Sequence, residues 1–100
     1  MEYKSTEELA IIFNETTTNM VETFTKKNQD YGNSFFESLD KRGLVAALVR
    51  MEDKMNRFNS LSERKAQVTD ESIIDTLLDL ANYSILTSMW LGNKVHTNIK

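Results

Sequence analysis

Apolar residues recur at helical spacing in three stretches of the chain. The first runs from about Ser5 to Asn28, where Leu9, Ile12, Phe13, Met20 and Phe24 supply most of one face. Ser5 or Thr6 can cap its start, and Glu8 stands three residues after Ser5, where a capping-box carboxylate belongs. Three consecutive threonines at positions 16–18 weaken the middle of that helix, because β-branched residues lose side-chain freedom against the preceding turn. The second pattern extends from Lys41 or Leu44 to Leu61. Leu44, Ala47, Leu48, Met51, Met55 and Phe58 form its apolar stripe, with Arg50, Asp53 and Arg57 opposite and Lys54 on the border. The third begins at a Thr69 or Asp70 cap, continues to about Leu91, and has Gly92 as its stop.

Between the first two patterns lies KKNQDYGNSFF, residues 26–36, which reads as a loop. Asn28, Asp30, Gly32 and Asn33 are turn formers, and Gly32 is the natural place for a positive φ. Tyr31, Phe35 and Phe36 give this stretch more aromatic surface than a connection needs. A polar segment, residues 59–67, joins the second pattern to the third. There is no proline and there are only three glycines, which disfavours a turn-rich β-fold. The expectation is an all-α protein of three main helices, forming a single domain over residues 1–100. A chain of this length buries only about 60–65% of its unfolded surface. Val45 and Val49 flank the main stripe, and Trp90 falls on the far side of the third helix. These apolar surfaces predict a homo-oligomer, a dimer or tetramer.

Charge and composition narrow the function classes. The net charge is −3, without the basic footprint of a nucleic-acid binder. No cysteine is present to build a disulfide, a thiolate metal site or a thiol nucleophile. The segment MEYKSTEELA is too polar for a signal peptide, and no apolar run reaches the ~20 residues of a membrane span. The expectation is a soluble cytoplasmic protein with neither a membrane nor a nucleic acid as partner. His96, in the polar tail KVHTNIK, reads as a solvated residue, and the methionines read as core filler.

The third helix poses a question of charge. Glu71, Asp75 and Asp79 recur every fourth residue, and no Lys or Arg lies between Asp70 and Asn93. At about 100° per residue these three and Asn82 cluster on one side, with Ile73, Leu77, Leu80 and Ala81 mostly across from them. Acidic neighbours at this spacing repel by a few tenths of a kcal/mol per pair. A solvated amphipathic face is the plain reading, and salt bridges to Arg50, Lys54 and Arg57 of the second helix are another. The third reading is a groove whose carboxylates, joined by Glu52 or Asp53, hold a cation. Oxygen-only ligands suit Mg²⁺ or Mn²⁺. There is no glycine-rich phosphate loop and no G-x-S-x-G.

Three blocks in order, KKNQDYGNSF (26–35), RMEDKMNRFNSL (50–61) and DESIIDTLLDLANYSI (70–85), closely resemble the family called nucleotide modification associated domain 1. The resemblance spans about residues 20 to 90, and such proteins are common in bacteriophages and in bacteria that carry them. The all-α character and acidic third helix are also similar to the MazG-like nucleoside triphosphate pyrophosphohydrolases. Those enzymes hold Mg²⁺ on an E-E-x-x-E cluster and an E-x-x-D pair. This chain departs from that pattern. It has only Glu52–Asp53 on the middle helix, and E-x-x-x-D followed by D-x-x-x-D on the third.

The resemblance implies a nucleotide as partner and two ways of handling it. In a Mg²⁺-dependent pyrophosphohydrolase, Asp53, Glu71, Asp75 and Asp79 would hold the ion or ions and carry catalysis. Lys27, Lys54 and Arg57 would offset phosphate charge, and Asn28, Asp30, Tyr31, Phe35 and Asn82 would contribute to the nucleotide site. In a non-catalytic phage protein the same cations and aromatics would sequester a nucleotide or a nucleotide-derived immune signal. Turn chemistry and core anchoring remain the structural alternative for the aromatic segment. A helical adaptor that binds another protein would need neither metal nor nucleotide.

Overall fold

The computed structural model describes residues 1–97, and among these residues only helices and connecting turns occur. In chain order they are α1 (Thr6–Tyr31), α2 (Ser34–Arg42), α3 (Val45–Glu63), a short 3-10 turn (Lys65–Gln67) and α4 (Asp70–Leu91). The all-α expectation holds, with four helices where three are expected. Contacts gather the chain into two compact units, Met1–Gly32 and the segment from Asn33 onward.

The first unit is a single helix. Ser5 Oγ accepts the Glu8 backbone N–H at 3.1 Å, and Glu8 Oε1 accepts the Ser5 N–H at 3.0 Å, completing the capping box. Hydrogen bonds from the Ser5 backbone N–H first, and the Ser5 hydroxyl second, hold the Glu8 carboxyl below the usual carboxylate range. The threonine run does not interrupt the helix. Thr16 Oγ1 donates to the Ile12 carbonyl at 2.9 Å and Thr17 Oγ1 to the Asn14 carbonyl at 3.1 Å, so the hydroxyls bond back onto the preceding turn. The helix runs about one turn beyond Asn28 and ends where Gly32 takes φ 73°, ψ −159°, a region essentially reserved for glycine.

The second unit begins with the helix that sequence periodicity misses. The sequence reading has a loop over residues 26–36 and a second helix starting at Lys41 or Leu44, with no separate helix between them. Instead α2 forms there, ended by Gly43 at φ 70°. At nine residues it is too short to be stable by propensity. Tertiary burial supplies the difference: α2 packs against both α3 and α4, and Leu39 is buried completely. Lys41 and Arg42 in its last turn complement the negative end of the helix dipole.

An antiparallel hairpin of α3 and α4 makes up the rest. Arg57 of α3 contacts Thr76 of α4, and Lys54, three residues earlier, contacts Asp79, three residues later. That shared register continues to Ala47 and Leu86, both buried. Leu61 is buried near the other end, where the 3-10 turn and Lys65–Asp70 ion pair close the connection. Thr69 caps α4 by accepting the Ser72 N–H, and Asp70 and Glu71 occupy its first turn. Carboxylates there are stabilised by the positive end of the helix dipole, which accounts for part of the acidic run. Gly92 is the C-cap as expected, although the left-handed residue is Asn93, at φ 57°.

Candidate functional site

The hairpin seam carries polar groups where a core would ordinarily be apolar. Thr76 is only 2% exposed, and its hydroxyl is fully used. It donates to the Ser72 carbonyl at 2.9 Å and accepts from Arg57 Nε at 3.3 Å. One turn along, Lys54 Nζ lies 3.1 Å from Asp79 Oδ2, with both side chains partly screened from water. A further turn along, the Tyr83 ring meets Phe35 of α2 with centroids 5.0 Å apart and planes tilted by 56°. Phe35 also contacts Phe36, at 6.2 Å. From Thr76 to Tyr83 is about 10 Å along the helix axis. Two cations, a carboxylate and an aromatic pair therefore follow one another along a single edge of the hairpin, and Asn82 is half-buried beside Tyr83.

The acidic stripe divides between two environments. Asp79 turns into the seam and meets Lys54, whereas Glu71, Asp75 and Asp53 are exposed. Asp53 adjoins Lys54 in sequence, but successive helix positions diverge by about 100°, so only one of them addresses α4. Among the described residues, no three Asp, Glu or His side chains come together in a way that could hold a metal ion. The carboxylates expected to hold Mg²⁺ or Mn²⁺ are thus not gathered into one donor set among the described residues.

The remaining candidates fall in different places. Lys27, Asn28, Asp30 and Tyr31 occupy the last turns of α1, not a loop, and belong to the first unit. Asn28 contributes its carbonyl to the Gly32 N–H at 2.8 Å, and Tyr31 is 76% exposed. Phe35 belongs to the second unit with Lys54, Arg57, Asp79 and Asn82.

Three residues enter the picture that sequence reasoning passed over. Thr76 and Tyr83 lie near the acidic stripe, and Tyr83 follows Asp79 by one turn, so the same periodicity that selected Asp79 points to it. Asp40 is the third. Its Oδ1 accepts from Trp90 Nε1 at 2.9 Å, and its Oδ2 lies 2.8 Å from His96 Nε2. The Trp90 bond first, and His96 second, hold the Asp40 carboxyl below the usual aspartate range. His96 is therefore not simply a solvated tail residue, and Trp90 packs towards α2. Contacts across 50 and 56 positions leave no trace in local periodicity.

Fold and seam together define an all-α protein built on an antiparallel helical hairpin, with cationic and aromatic groups lined up along one edge. The family model for nucleotide modification associated domain 1 matches residues 27–91, and the chain belongs to that family. The matched region takes in the end of α1 and all of α2, α3 and α4. No curated protein and no solved structure matches the chain. No helix among the described residues is long and apolar enough to cross a membrane.

Proposed function

We propose that this protein binds a nucleotide along the α3–α4 seam and holds it without cleaving it. The observation that carries the reading is the order of groups on that edge: Arg57, then Lys54 with Asp79, then Tyr83 against Phe35. An anionic phosphate chain suits the Arg57–Lys54 end, since a guanidinium and an ammonium are the usual phosphate partners. A base suits the aromatic end, where stacking contributes about 1–3 kcal/mol per base and tolerates any base. Asn82, one residue from Tyr83, can bond a base edge through its amide. The spacing of about 10 Å from Thr76 to Tyr83 accommodates a nucleoside and its phosphates. The family's description, nucleotide modification associated, fits this chemistry.

The rival is a Mg²⁺-dependent pyrophosphohydrolase of the MazG-like kind. It needs several carboxylates converging on an ion, and Asp79 is committed to Lys54 while Glu71, Asp75 and Asp53 stand apart from any such group. A cation-rich seam without a converged donor set favours sequestration of a nucleotide, or of a nucleotide-derived signal, over hydrolysis. Homo-oligomer formation belongs to the same proposal, because so small a domain gains stability from a partner.

Isothermal titration with nucleoside triphosphates, in EDTA and again in Mg²⁺, tests the reading alongside an assay for released pyrophosphate. Binding that survives EDTA with no pyrophosphate release is expected. Pyrophosphate appearing only with the divalent ion would replace the sequestration reading with the hydrolase. Absence of binding to any nucleotide would remove both and leave a protein adaptor.

A further inference from the structure

The two cations on the hairpin seam are held in different ways. Lys54 is neutralised by Asp79 at 3.1 Å. Arg57 is exposed and, among the described residues, has no carboxylate within ion-pair distance. The group that holds it is neutral: the Thr76 hydroxyl accepts from Arg57 Nε at 3.3 Å. Thr76 can only accept here, because its single hydroxyl proton goes to the Ser72 carbonyl at 2.9 Å. At 2% exposed, its lone pairs are satisfied by Arg57 and not by solvent. Thr87, the other buried threonine of α4, makes the same bond back to the Tyr83 carbonyl and, among the described residues, none to another helix. The back-bond is thus common to buried threonines, and the grip on a cation belongs to Thr76.

We infer that Thr76 is a positioning residue: it holds the Arg57 guanidinium by Nε, so that the two terminal nitrogens present a ready fork to a phosphate group. The inference rests on the nucleotide reading for the identity of the anion, and adds which cation receives it first and what aims that cation. A guanidinium carries five N–H donors in one plane. With Nε bonded to Thr76, the four on the terminal nitrogens remain, and two parallel ones match two oxygens of one phosphate. A neutral acceptor also leaves the charge of Arg57 whole, whereas Lys54 has to be drawn from Asp79 before it can offer as much. Arg57 is therefore the resting receptor, and Lys54 joins once an anion is seated. Fixing the guanidinium beforehand spares the cost of ordering it on binding, which for one long side chain weakens affinity roughly two- to twelvefold. That factor is what Thr76 contributes. A bond that only fixed helix register would show in stability and not in anion affinity.

The test is calorimetric titration of the full chain with inorganic triphosphate in EDTA, beside the Arg57 Nε–H resonance in nitrogen-edited NMR. Thr76→Val keeps the branched shape and deletes the hydroxyl, and should weaken binding roughly two- to twelvefold with helical circular dichroism retained. Thr76→Ser returns the hydroxyl and should bind as the wild type does. Thr87→Val, at the buried threonine that grips no cation, should also bind as the wild type does. The Arg57 resonance should be resolved in the wild type and in Thr76→Ser, and lost to solvent exchange in Thr76→Val. Should Thr76→Val fail to fold, Thr76→Ala takes its place. A wild type that does not bind inorganic triphosphate overturns the inference. So does a Thr76→Val protein that binds it unimpaired, or a Thr76→Ser protein as weak as Thr76→Val. A nucleoside triphosphate separates the two readings. If it binds no tighter than inorganic triphosphate, the base end of the nucleotide reading fails while the Arg57 receptor stands. If it binds tighter but equally to the wild type and Thr76→Val, the receptor fails while the nucleotide reading stands.

Discussion

Replacing Asp79 with asparagine separates sequestration from metal catalysis by the sign of its effect. In the folded protein Asp79 neutralises Lys54 at 3.1 Å, with the two side chains 43% and 28% exposed. A pair this open to solvent contributes only about 0.2–1 kcal/mol. Asp79→Asn should therefore lower the melting temperature by less than about 8 °C. Its effect on binding is larger and favourable. A phosphate seated at Lys54 would lie about 6 Å from the Asp79 carboxylate, a repulsion of about 0.7 kcal/mol in water-like screening and up to about 3 kcal/mol at an effective dielectric near 20. Removing that charge should tighten nucleotide binding roughly threefold or more. Lys54→Met should weaken binding by a similar or larger factor. Calorimetric titration with a nucleoside triphosphate in EDTA reads both. If Asp79→Asn instead abolishes binding, and the loss is seen only when Mg²⁺ is present, Asp79 is a metal ligand and the sequestration reasoning is wrong.

Other outcomes follow from the packing. Leu39→Ala empties the completely buried position under α2 and should cost about 2–5 kcal/mol, read as a lower denaturant midpoint in urea. Gly43→Ala should cost about 1–3 kcal/mol, because its φ of 70° strains any residue with a Cβ although the space is open. Gly92→Ala should be close to neutral, since Gly92 is at φ −80° and its nearest new contact is at 3.4 Å. The single tryptophan reports the Asp40 bonds. Folding lowers the Asp40 pKa, so these bonds add stability above the unfolded aspartate pKa and lose it as pH falls through the lower folded value. Trp90 fluorescence should change with a midpoint below the ordinary aspartate range, and Asp40→Asn should remove that transition.

Much of the helical framework was legible because it rests on local rules. Ser5 and Glu8 announce the start of α1, Thr69 announces α4, and Gly92 marks its end. Long amphipathic stripes placed α1, α3 and α4 within a few residues of their observed bounds. What failed was α2, read as part loop because its turn formers and aromatics lie close together. Nine residues carry too little period to declare a helix, and Leu39 makes one only by burial against α3 and α4.

The candidate site divides in the same way. Sequence alone determined that carboxylates share one side of α4 and that Arg57 and Lys54 lie a turn apart on α3, since helical geometry fixes which residues neighbour one another on a single helix. Only tertiary structure decided which of them meet. The register of the hairpin, fixed by the Arg57–Thr76 and Lys54–Asp79 contacts, leaves Asp75 and Glu71 in solvent, while Ala47, Leu61, Thr76 and Leu86 are the buried positions of the two helices. The bonds from Trp90 and His96 to Asp40, and the contact of Tyr83 with Phe35, likewise join residues far apart in the chain. Periodicity speaks for one helix at a time, whereas a site between helices is written in how they pack.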